Sequence, residues 1–239
     1  MREWSLAPIG TPEATPRDLA KGLEEGRSAR WWLETLGVLI LGGSLYGAAI
    51  GLWHGPKLAV YVAVKLPLLL VLTATLTLAL NWMAALLFGL RLEIREVAAL
   101  AFSALSVAAV VLASLTPIAL FFTYTVPIPS VAARTTHNLL YLMHTAFVAA
   151  SGLVGTAALR GTLRRILRRR GADPSRAFKI YALWVTSFAV VGGEVAWALR
   201  PFVGSIYHPV VFFRTNALDG NVYEFILQEI LPFLLWGES

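Results

Sequence analysis

Residues 97–121 read VAALAFSALSVAAVVLASLTPIALF, a run without one charged side chain. At a rise of about 1.5 Å per helical residue, such a run crosses the roughly 30 Å hydrocarbon layer of a bilayer. Stretches 33–53, 66–88, 139–159 and 180–199 are similarly apolar, with Glu34 and Glu194 as their only acidic or basic residues apart from histidine. Lipid offers the backbone no hydrogen bonds, so each apolar stretch must satisfy its own N–H and C=O groups as a helix. The expected fold class is therefore all-α: a polytopic membrane helical bundle with five transmembrane helices plus interfacial helices. Its expected organisation is a polar segment at 1–30, a five-span membrane domain at 31–200 and a C-terminal segment at 201–239 with an interfacial helix.

Composition points the same way. Of 239 residues, 57% are hydrophobic and 14% charged, against about 25% charged in soluble domains. Too few polar side chains remain to cover a water-facing exterior. The absence of cysteine excludes disulfides and thiolate chemistry. Residues 1–30 are rich in Pro, Gly and cancelling charges and lack the basic, apolar and cleavage regions of a secretory signal, so the first apolar stretch is expected to stay as an anchor. Trp31 and Trp32 mark its edge, since indoles favour the headgroup level.

The 160–179 connection carries eight basic residues, Arg160, Arg164, Arg165, Arg168, Arg169, Arg170, Arg176 and Lys179, against the single acid Asp173. The positive-inside rule assigns this connection to the cytoplasm. Counting spans outward then predicts a cytoplasmic N-terminus and an outward C-terminus. Leu163, Ile166 and Leu167 recur at helical spacing among the arginines, which predicts that the fourth helix continues as an amphipathic extension. Arg164, Arg165, Arg168, Arg169 and Arg170 are then expected to contact anionic lipid headgroups. Asp173-Pro174 reads as a helix restart, with a capping carboxylate before a proline that needs no donor.

Polar residues within the apolar stretches are the candidate functional groups. Pro67 predicts a division of 56–88 into an interfacial helix at 56–64 and a span from 66, with Lys65 extending its ammonium to water. Thr73, Thr77 and Asn81 recur every four residues and form one stripe, fit for helix packing or for a permeation surface. His144 follows His137 by two turns, compatible with interhelical hydrogen bonds. Glu194 needs a donor or cation at membrane depth, with Lys65 or Arg200 as candidate partners. In 222–236 the acids Glu224 and Glu229 and Pro232 interrupt the apolar pattern, which predicts an interfacial or bundle-packed helix rather than a sixth span.

Gly43, Gly47 and Gly51 make two consecutive small-xxx-small steps, and Ser151, Gly152 and Gly155 offer a second small surface. Such faces allow backbones to approach closely, either within the bundle or between copies. HExxH, GxSxG, phosphate-loop and dinucleotide fingerprints are all missing from the sequence, so no catalytic, cofactor-binding or metal residue is assigned.

LYGAAIGLWHGPKLAVYVAVKLPLLLVLT at 45–73, VVLASLTPIALF at 110–121, GGEVAWALRPFVGSIYHPVVFFR at 192–214 and GNVYE at 220–224 together resemble a family of uncharacterised bacterial five-span integral membrane proteins. That family is similar in general organisation to Yip1-type proteins. The resemblance implies a five-span helical domain in a bacterial cytoplasmic (inner) membrane and supplies no catalytic residues to transfer. The expected function is a non-enzymatic scaffold or accessory subunit acting through helix packing with a membrane-protein partner or by self-association. The alternative is an oligomeric ion channel or small-solute transporter. Membrane lipids are the other expected partner, and no nucleic acid is expected.

Overall fold

The computed structural model describes residues 29–126, 134–169, 171–204, 209–214, 217 and 219–225, with backbone alone at 134–138 and 225. Its helices are α1 (Ala29–Leu52), α2 (Pro56–Leu76), α3 (Leu78–Leu87), α4 (Ile94–Thr125), α5 (Arg134–Arg169), α6 (Arg176–Leu199) and the short α7 (Val222–Phe225). No strand occurs among the described residues. Five helical runs are long and apolar enough to cross a membrane, α2 and α3 together forming one of them. The protein is an integral membrane helical bundle.

Helix α1 lies between α2 and α4, α5 packs on α4, and α6 joins α5 to α2 and α3, closing a ring. Three apolar clusters fill it, one of them, Leu39, Leu70, Ala74, Leu105 and Ala109, joining α1, α2 and α4. Leu90, Leu100, Leu163, Leu167, Ile180 and Trp184 meet near the arginine-bearing end. Tyr46, Leu58, Val62, Leu66, Leu112 and Leu199 meet toward the opposite end.

The arginine-bearing end follows the sequence pattern closely. Helix α5 runs on to Arg169 with Leu163, Ile166 and Leu167 buried and Arg164, Arg168 and Arg169 exposed. Arg165 is half-buried, and Arg170 lies outside the described residues. At the restart, the Asp173 carboxylate accepts the Ser175 N–H at 2.9 Å and the Ser175 hydroxyl at 2.5 Å. Three-residue turns from Asp173 and Pro174 to Arg176 and Ala177 lead in, so the α-helix proper begins at Arg176. On α4, the Glu96 carboxylate accepts the Glu93 N–H at 2.7 Å, one arm of a capping box.

Pro67 does not divide its helix: residues 56–64 are helical and continue through the proline as part of α2. A helical proline strands the carbonyl four residues earlier, here that of Ala63. Ser44 on α1 donates its hydroxyl to that carbonyl at 2.8 Å, which supplies the missing bond. The interruption falls instead at Thr77, whose N–H and hydroxyl both approach the Thr73 carbonyl, at 3.1 and 2.7 Å. A back-bonding hydroxyl competing with the amide loosens the helix at that point.

Of the expected C-terminal helix at 222–236, α7 is the described part, and 226–239 lie outside the described residues.

Candidate functional site

The glycine stripe of α1 is consumed inside the bundle. A Cβ at Gly43 would stand 3.2 Å from Pro67 N, one at Gly47 2.5 Å from Val62 O and one at Gly51 2.6 Å from Ala59 Cα. All three face α2. Gly42, which the i to i+4 reading passed over, faces α4, with its added Cβ 2.6 Å from Ala109 O. On α5, Gly155 packs on Ala104 and Ala108 and Ser151 is buried, whereas Gly152 looks into open space. The second small surface is therefore split between two directions.

Thr73, Thr77 and Asn81 are brought together as one buried stripe. The Thr73 and Thr77 hydroxyls donate back to Leu69 and Thr73 carbonyls, and Thr73 borders Gly192 of α6. At Asn81 the side-chain oxygen accepts from Ser187 at 2.6 Å and the carbonyl from Trp184 Nε1 at 2.8 Å. This stripe joins α2 and α3 to α6. The Asn81 Nδ2 group stays buried without a partner among the described residues.

His144 pairs with Tyr46, a residue the sequence reading did not single out. The Tyr46 hydroxyl and His144 Nδ1 are 2.9 Å apart, with their rings edge to face. Both side chains are buried, and His144 Nε2 has no partner among the described residues. The side chain of His137 lies outside the described residues.

Lys65 departs from its expected role. Its ammonium does not reach water: the residue is fully buried. The Nζ donates to the Pro201 carbonyl at 3.2 Å and sits 5.1 Å from the centre of the Phe212 ring. Both contacts come from the segment after α6, which folds over the first half of α2. Arg214 from the same segment is half-buried and acts electrostatically on Lys65 and on Arg200.

Glu194 pairs with neither Lys65 nor Arg200 among the described residues. Arg200 stacks on the Trp197 ring at 3.7 Å and donates to the carbonyls of Trp197, Ala217 and Asp219. It holds the outer segment to the end of α6. Glu194 instead neighbours Tyr223 of α7, whose hydroxyl donates to the Val190 carbonyl at 3.0 Å. Burial, and secondarily the Glu194 charge, raise the Tyr223 hydroxyl above its ordinary pKa.

Lys65, Arg200 and Arg214, from α2, the end of α6 and the following segment, thus share one electrostatic neighbourhood. Arg214 and Phe212 carried no spacing signal that could have linked them to Lys65. Among the described residues no group of three His, Cys, Asp or Glu side chains could hold a metal ion. No family model, curated protein or solved structure matches the chain.

Proposed function

We propose that the protein is a non-enzymatic membrane scaffold or accessory subunit that positions a second membrane protein against α5 and α6. The observation that carries this reading is the unequal packing of the spans. In their most apolar windows 28% of α5 and 17% of α6 is buried within the bundle, against 50 to 61% for the other three spans. The underpacked flank includes the open face at Gly152 with exposed Val154 and Leu183. In hydrocarbon, helices associate through close packing and polar contacts rather than hydrophobic expulsion, and an open small residue favours close approach.

The cysteine-free sequence makes single-cysteine crosslinking clean. Cysteines at Val154 and Leu183 are expected to crosslink to a stoichiometric neighbour in native membranes, while cysteines at exposed Leu41 and Leu76 do not. A chain that purifies alone as a monomer in mild detergent, with no site-dependent crosslink, would falsify the scaffold reading.

A second reading, an oligomeric channel or small-solute transporter, is favoured by two orphaned polar atoms. Asn81 Nδ2 and His144 Nε2 are buried without partners among the described residues, and water or a solute group is the ordinary remedy. Flux through reconstituted proteoliposomes above that of empty liposomes, lowered by Asn81→Leu, is its expected signature. Flux equal to empty liposomes for a broad panel of ions removes it.

We infer that the arginine-bearing end faces the cytoplasm and the Lys65 end faces outward, in a bacterial inner membrane. The charge density of 160–179 supports this sidedness. Cysteine at Arg168 is expected to resist an impermeant thiol reagent in intact cells, and cysteine at Gly220 to react. Kinship with Yip1-type proteins rests mainly on the count of five spans.

A further inference from the structure

We propose that the outer ridge of α5 at the arginine-bearing end binds a single anionic phospholipid, with the lipid phosphate between Arg160 and Arg164, an acyl chain along Leu153 and Ala157, and Phe178 of α6 supporting the Arg160 guanidinium. The four α5 residues follow one another at intervals of four, three and four, so they stand in one row along the helix. All four are exposed on the folded bundle. The row is apolar up to Ala157 and cationic from Arg160, immediately past the apolar stretch 139–159. The Arg160 guanidinium lies 5.1 Å from the centre of the Phe178 ring, which is itself exposed and precedes the apolar stretch 180–199 by two residues. On both helices the change from apolar to polar therefore falls at one depth, the level at which a bilayer places its phosphates.

Neither arginine has an ion-pair partner among the described residues, where the ion pairs are Arg30–Glu34 and Arg95–Glu93. Asp173, the one acid of 160–179, is held by Ser175. A guanidinium over a ring face still presents its in-plane N–H groups, and a phosphate accepts several of them. The row opens sideways to the bilayer, so a lipid reaches it without entering the bundle. The occupant follows from the two halves of the row. A free anion leaves Leu153 and Ala157 uncovered, and a zwitterionic lipid brings a cation of its own beside the arginines, whereas an anionic lipid matches both halves. Arg160 is outside the set of headgroup contacts read from the sequence. With Arg164 it makes a defined site, while Arg168 stands a further turn from the hydrocarbon.

The test uses the full chain in nanodiscs of phosphatidylcholine and phosphatidylglycerol in equal parts, released intact into a mass spectrometer that counts the lipids retained. One phosphatidylglycerol per chain is expected to stay, in preference to phosphatidylcholine. Arg160→Gln and Arg164→Gln are each expected to lower that retention about fivefold, and Phe178→Leu about two- to fivefold through the lost ring contact. Arg168→Gln, the removal of a screened charge farther out, is expected to change it by about twofold or less. All four side chains are exposed, and an unchanged unfolding midpoint in phosphatidylcholine nanodiscs checks that each variant is folded. A loss at Arg168 as large as that at Arg160 is the mark of diffuse headgroup attraction and overturns the proposal. So does equal retention of the two lipids, or undiminished retention in the Arg160→Gln/Arg164→Gln double variant. The chain is measured alone, so none of these outcomes depends on a protein partner at α5 and α6.

Discussion

The Ser44 hydroxyl on α1 donates to the Ala63 carbonyl on α2 at 2.8 Å, at the one place where Pro67 removes the helix's own donor. The proline ring lies against Gly43, so the residue that breaks the ladder and the residue that mends it share one interface. Ser44→Ala is expected to destabilise the bundle by about 1 kcal/mol, the usual net value of such a bond, with the lower values measured in membranes also allowed. Pro67→Ala restores the amide donor, so in that background Ser44→Ala is expected to have a much smaller effect. Thermal unfolding of the four proteins in nanodiscs measures the coupling; strictly additive losses would contradict it.

Gly47 and Gly152 test where close packing is required. An added Cβ at Gly47 meets the Val62 carbonyl at 2.5 Å, backbone that cannot swing aside, while Gly152 has nothing within 4 Å. Gly47→Ala is expected to cost about 1–3 kcal/mol as overpacking. Gly152→Ala is expected to stay within about 0.5 kcal/mol or to stabilise slightly, since alanine is the better helix former. Equal losses at the two sites would mean that the α1–α2 contact is not the tight one.

The spans and the amphipathic extension of α5 were legible because both follow from periodicity and length, which are local. Leu163, Ile166 and Leu167 repeat among arginines whatever lies opposite them, and they are buried as that spacing requires. The fate of Pro67 was not legible, because the remedy sits on another helix, at Ser44. Lys65 was harder still: its acceptor, Pro201, is 136 positions away, in a segment whose letters mark neither helix nor strand. The spacing of Gly43, Gly47 and Gly51 announced a close approach without saying to which helix. Charge alone suggested Glu194 as the partner of Lys65, but the segment after α6 folds over the lysine first.

Asp173 gives the basic connection a pH dependence. Hydrogen bonds from the Ser175 hydroxyl and N–H, and secondarily the charges of Arg176 and Lys179, hold its carboxyl below its ordinary pKa. A carboxyl lowered in the folded state binds fewer protons there than in the unfolded chain, so its contribution is complete above the ordinary carboxylate range. It is lost as pH falls through the lowered value. Asp173→Asn is therefore expected to be less stable than the wild type at neutral pH, with the gap closing in acid. A gap that is constant with pH would assign the effect to the turn's shape instead of its charge.

The Tyr46–His144 pair ties α1 to α5, two helices that are not neighbours in the chain. The contact joins two buried rings, so removal of either polar atom leaves the other without its partner. Tyr46→Phe keeps the ring and deletes only the hydroxyl. It is expected to destabilise by about 1–3 kcal/mol, the range for a stranded buried donor or acceptor. His144→Leu removes the group that would be stranded, together with the orphaned Nε2, so the double variant is expected to recover part of the loss. Additive losses in the unfolding midpoints would mean that the hydroxyl and the ring nitrogen, though 2.9 Å apart, hold the helices independently.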